Sequence, residues 1–159
     1  MIISKTPFRV SLFGGGTDDM LLANPISSEL DAMRPSMLGN LILAVGRNGD
    51  RGFDDVALFE VGPQFRDATP KGQDFVAAGL RRGRDNHRHW AETPRAVDAY
   101  DAKADALAAL AACGVAADVL DATDDAPSWS HPGRSGSLCL AVKPKGPKTV
   151  LAHFGEIHP

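Results

Sequence analysis

Several small groups of residues carry the side chains or the backbone freedom that chemistry requires. Gly14-Gly15-Gly16 could bring consecutive backbone N–H groups close to a phosphate, usually where a strand feeds a helix N-terminus. Neither G-x-x-x-x-G-K-[ST] nor G-x-G-x-x-G surrounds the run, so it reads as a flexible turn. His87 and His89 stand two apart, Cys113 and Cys139 stand far apart, and no C-x-x-C or H-x-x-x-H occurs. No metal site is expected, and both histidines read as solvated loop residues. Ser135, His131 and an aspartate make a nucleophilic triad on paper. No G-x-S-x-G elbow frames the serine, so no nucleophile is assigned. Residues Arg81 to Trp90 (RRGRDNHRHW) set Arg81, Arg82, Arg84, Arg88, two histidines and Trp90 against one aspartate. Guanidinium forks and a stacking ring are what an RNA backbone and its unpaired bases attract, while the plainer reading is a solvated loop between strand and helix.

These groups must be held by elements that a chain of 159 residues can build. Hydrophobic residues are 43% and charged residues 23%, a balance that excludes wholesale disorder and permits one core. Seventeen Lys+Arg against 20 Asp+Glu leave a formal charge of -3, which argues against a generally basic nucleic-acid binder but not against a local basic patch. No apolar run approaches the ~18 residues of a membrane span. The start lacks a secretory h-region, and two cysteines make no disulfide framework, so a cytoplasmic setting is expected.

Leu38, Leu41, Ile42 and Val45 fall at i, i+3, i+4 and i+7, which predicts a helix with Pro35 in its first turn and Gly46, Gly49 and Gly52 ending it. VALFEV (56–61) predicts a strand that turns or bulges at Gly62-Pro63, and Asp74 to Leu80 predicts another. Val97, Tyr100, Ala104, Leu107, Leu110 and Ala111 form an apolar stripe on a second helix, with Asp98 and Asp101 in its first turn and Gly114 as its stop. A turn at His131-Pro132-Gly133 and strands at Ser137–Val142 and Thr149–Phe154 follow. Strands joined by short turns, with helices packed on them, predict an α+β fold on an antiparallel sheet.

From Leu22 onward, LANPISSELDAMRPSML, RNGDRGFDDVALFEVGPQF, AVDAYDAKADALAALAACG, HPGRSGSL and GPKTVLAHFGEIHP occur in the order and spacing of one family. The chain resembles the β subunit of bacterial phenylalanyl-tRNA synthetase, alphaproteobacterial type. The resemblance implies a partial, degenerate copy of the class II synthetase antiparallel sheet in residues 22–159, with 1–21 an N-terminal segment of uncertain origin. The opening MIISKTPFRVSLFGGGTDD is also similar to the first strand of sugar kinases such as heptose-phosphate kinases. That family needs a G-L-[GS]-[ST]-S loop, which the chain lacks.

The resemblance further implies a module that does not catalyse. Met33-Arg34-Pro35-Ser36 and the following helix resemble the element that forms class II subunit interfaces, which makes Arg34, Leu38, Leu41, Ile42 and Val45 interface candidates. FEVGPQFRDA places Arg66 where such enzymes hold the ATP α-phosphate, but Ala68 stands at the position of the adenine-fixing glutamate. The Gly-rich strand with Glu-Arg of the third motif has no match. ATP and magnesium would then serve the whole enzyme, a heterotetramer of two α and two β subunits that charges tRNA with phenylalanine. Two rival functions remain at this point: an ATP-dependent sugar kinase, and a stand-alone RNA-binding module.

Overall fold

The computed structural model describes residues 2–3, 32–67, 69–86, 89–141 and 149–158. The Gly14–Gly16 run, the Leu21–Ala23 segment, Ala68, His87 and Arg88 lie outside the described residues. Eight elements follow in order: β1 (Ile2–Ile3), α1 (Leu38–Asp50), β2 (Val56–Phe65), β3 (Gln73–Arg82), α2 (Ala99–Ala112), β4 (Leu120–Thr123), β5 (Ser130–Leu140) and β6 (Val150–Ile157). They make one six-stranded sheet in the order β2-β3-β1-β6-β5-β4. The α+β class stands. The sheet is mixed rather than purely antiparallel, because the two-residue β1 runs parallel to both β3 and β6 and joins two antiparallel halves.

Several local expectations change. Helix α1 starts at Leu38, after Met37, so Pro35 lies ahead of the helix rather than in its first turn. Gly46 and Gly49 stay inside it, and the chain leaves at Gly52 with φ +87°. Gly62-Pro63 does not interrupt β2: its register with β3 is unbroken from Val56↔Arg82 to Phe65↔Gln73. An edge strand tolerates proline because the missing N–H can point away from the ladder, and β2 is an edge. The His131-Pro132-Gly133 turn is a bulge inside β5, where the pairing with β6 shifts between Ser130 and Ser135. Gly155 sits opposite with φ +136°, and a Cβ there would run into Ser135.

The stripe expected on α2 is rotated. Tyr100 and Ala104 face solvent, while Ala102 and Ala106 are buried. The N-terminus of the helix is fixed by its own carboxylates. Asp98 caps the helix by accepting from the Tyr100 and Asp101 N–H groups, and Asp101 accepts in return from the Asp98 N–H, a complete capping box. Small alanines on the inner side let the helix lie close to Phe154 and Val97. Gly114, φ +84°, ends it as expected.

Strand alternation sorts the two helices onto opposite faces. Leu80 packs with Leu41, Val45 and Ile157 beneath α1, and Leu58, Val56 and Ala78 join them. The next residue, Arg81, points to the other face and meets Asp105 of α2. Neither helix is long and apolar enough to cross a membrane.

Candidate functional site

The sequence-derived residues fall at three places. The first is the tip of the β2–β3 hairpin. Arg66 N–H donates to Gly72 O at 2.8 Å, and the Asp67 carboxylate accepts from the Thr69 N–H and hydroxyl at 2.8 and 2.6 Å, which closes a tight loop. The Thr69 hydroxyl bond is the chief reason the Asp67 carboxyl lies below its ordinary range. Arg66 itself pairs with Asp74 at 2.7 Å and reaches the Lys71 carbonyl. Its guanidinium therefore meets a carboxylate of its own hairpin.

The second place is the edge of β2 with α1. Arg34 donates to Pro63 O at 2.9 Å and pairs with Glu60, and its carbonyl accepts from the Phe65 N–H. The segment before α1 is thus strapped along the outer edge of β2, where an exposed ladder would otherwise invite pairing with another chain. Leu41 and Val45 are buried in this chain's own core, with Leu38 and Ile42 half-buried against it. The outer side of α1 carries Asn40, Arg47 and, outside the sequence-derived set, Leu43, which is half exposed.

The third place is the arginine-rich run. Arg81 forms a bidentate pair with Asp105 at 2.5 and 2.9 Å, and this hydrogen bonding raises its pKa above the ordinary guanidinium value. Arg82 meets Asp54 at 3.4 Å. Arg95 gathers Asp101 at 2.6 Å, Asp85 at 3.4 Å and Asp98 at 3.5 Å. The bond to Asp101 raises the Arg95 pKa and lowers that of Asp101. Arg84 uses its backbone N–H to bind Asp55 and helps line a groove of about 310 Å3 with Asp55, Arg81 and Asp85. Trp90 is 94% exposed. The cluster that looked basic in sequence is folded among carboxylates that come from distant stretches of chain.

The Ser135–His131 pairing forms no dyad through the imidazole. The Ser135 hydroxyl donates to the His131 carbonyl at 2.8 Å, and His131 Nδ1 lies beside the Pro132 carbonyl. A serine–histidine contact that sequence reasoning missed joins Ser137 Oγ to His153 Nδ1 at 2.8 Å. These residues face each other in the β5–β6 register, a cross-strand relation that no local spacing reveals. The Ser137 hydroxyl donates to the Asp125 carbonyl and is 1% exposed, so it pins the acidic loop rather than offering a nucleophile. Burial lowers the His153 pKa. Of the cysteines, Cys139 is buried beside Thr123 and Cys113 is exposed. Among the described residues, no group of three His, Cys, Asp or Glu side chains converges as a metal site would need.

Comparison with known proteins places this arrangement. The sequence profile of the family described as phenylalanyl tRNA synthetase beta chain CLM domain matches residues 9–159. A phenylalanine–tRNA ligase beta subunit of Paramagnetospirillum magneticum is 58% identical over 148 residues, 93% of this chain and 18% of that protein. The corresponding subunits of Rhodospirillum rubrum and Bradyrhizobium diazoefficiens are 56% and 48% identical over 92% and 97% of this chain. The chain spans about a fifth of the length of these relatives. With a match over nearly its full length, the chain belongs to the phenylalanyl-tRNA synthetase beta-chain CLM-domain family.

Proposed function

We propose that these residues are a noncatalytic structural module of a phenylalanine–tRNA ligase β subunit, a degenerate relative of the class II synthetase core. The module helps to build the α/β complex, which charges tRNA with phenylalanine in the cytoplasm. The observation that carries this reading is the Arg66–Asp74 pair. Nucleotide activation needs positive charge left free for the triphosphate, and here a neighbouring carboxylate takes it. With Arg66 engaged by Asp74, no step through ATP or magnesium is assigned to the described residues. Both belong to the assembled enzyme, a heterotetramer of two α and two β subunits. The outer side of α1, with Leu43 at its centre, is the surface offered to the α subunit.

The test is phenylalanine-dependent ATP–pyrophosphate exchange. The isolated chain is expected to give none. Exchange above background that Arg66→Ala abolishes would overturn the noncatalytic reading. Trp90, with its ring in solvent, supports a second role, a tRNA contact within the assembled enzyme. Trp90→Ala should then weaken tRNA binding by the complex and leave its assembly intact; unchanged binding would remove that contact from the account.

A further inference from the structure

The centre of the sheet is filled by its shortest strand. β1 pairs Ile2 with Leu80 and Gly155, and Ile3 with Arg81 and Glu156, running parallel to both neighbours. Among the described residues, no ladder joins β3 to β6 directly. Contacts that involve no residue of β1 nevertheless hold those two strands in place. On one face, Leu80 of β3 and Ile157 of β6 share the core beneath α1. On the other, Phe154 of β6 packs with Ala102 of α2, and the Arg81–Asp105 pair ties the same helix to β3. The two walls bound a slot one strand wide, about 9–10 Å from β3 to β6 at two ladder spacings. Leu80 and Glu156 are 1% and 5% exposed. An empty slot would leave main-chain N–H and C=O groups of both walls without partners inside the molecule.

We propose that the facing edges of β3 and β6 are a strand-acceptor site, and that Ile2-Ile3 is its exchangeable occupant. The ligand class is an extended apolar peptide, bound parallel to both walls through main-chain hydrogen bonds. This is recognition by strand addition, with two sheet edges engaged at once instead of one. Three observations support it. The walls are held by α1 and α2 rather than by β1, so the site outlasts its occupant. A parallel strand covered on both faces takes a continuous apolar run, and Met1-Ile2-Ile3 is such a run. The family profile begins at residue 9, so the occupant lies outside the stretch that carries the family's pattern. Both walls lie inside that stretch. The covalent link then supplies a high effective concentration, while the recognition resides in the two edges.

The experiment uses the whole chain with Ile2→Pro/Ile3→Pro, because proline removes the ladder N–H and is not tolerated in a central strand. This variant is expected to melt at least about 5 °C below the parent, while Ile2→Val/Ile3→Val melts within about 2 °C of it. Adding a synthetic peptide of residues 1–8, MIISKTPF, should raise the melting temperature of the proline variant saturably and recover most of the loss. The same peptide with both prolines should recover none. Amide exchange at Leu80, Arg81, Gly155 and Glu156 should slow with the parent peptide and not with the proline peptide. If circular dichroism shows the variant unfolded, it is diluted from urea with and without peptide. A sheet signal restored by the parent peptide alone is then the expected result. A proline variant that melts with the parent, a loss that the parent peptide does not reverse, or equal rescue by the proline peptide would overturn the proposal.

Discussion

Asp98, Asp101 and Arg95 show how single carboxylates fix a helix and quiet a cluster of arginines at once. Asp98 satisfies two N-terminal N–H groups of α2, and a lost cap of this kind costs about 0.5–2 kcal/mol. Asp98→Ala should lower stability by that amount in urea melts, with Asp98→Asn losing much less because the amide oxygen still accepts. Asp101 is held below the ordinary carboxylate range chiefly by the Arg95 hydrogen bond. A carboxyl depressed by folding stabilises fully above its unfolded pKa, and the contribution disappears as pH falls through the folded value. Asp101→Asn is therefore expected to reduce stability at pH 7 and to flatten the acid limb below about pH 4 in thermal melts. His153 shares that direction, because its pKa is also lowered, although the form that folding favours is the neutral one. Burial favours its neutral form, so stability is full above pH 6.5 and declines as the ring is forced to protonate. His153→Asn, which can keep the bond to Ser137, should shrink the loss of melting temperature between pH 7 and 5. Arg66→Ala, by contrast, removes an exposed pair and is expected to cost only about 0–1 kcal/mol.

The two helices differ in how much of their role can be read from periodicity. In α1, branched and long apolar side chains at i, i+3, i+4 and i+7 name the buried side correctly: Leu41 and Val45 are buried, and Leu38 and Ile42 pack against the same core. Leu41→Ala should cost about 2–5 kcal/mol by opening a cavity against Leu80 and Ile157. Leu43→Ala, on the outer side, should stay within about 0.5 kcal/mol. Both are checked by chemical denaturation. In α2 the same approach misplaces the stripe: alanine fills both sides, so hydrophobicity carries little phase information. The hairpin strands were readable from their β-branched and aromatic content. Their continuity through Gly62-Pro63 was not, because an edge position is a tertiary fact. The arginine run misleads for a similar reason, since Asp54 and Asp105, the partners of Arg82 and Arg81, come from elsewhere in the chain and only folding brings them together.

The molecule as a unit has two antiparallel halves held by the short parallel β1, with one helix on each face. Helix α1 closes one side of β2 and β3, and nothing among the described residues closes the other. Such an incomplete layer suits a module whose neighbours lie elsewhere in a larger assembly, and the chain's relatives are about five times its length. Ordered sequence blocks identified the family before any geometry did, whereas the sites in the arginine run and at the hairpin tip could be judged only once their carboxylate partners were placed. The central claim is that this module assembles with the α subunit instead of catalysing. Its most direct test is sedimentation of the α subunit with the parent chain and with Leu43→Asp. The expected result is a defined complex with the parent chain, weakened at least about tenfold by Leu43→Asp while circular dichroism stays unchanged, on the order of 1.4 kcal/mol or more. No complex with the parent chain, or equal binding by a folded Leu43→Asp variant, would contradict the account.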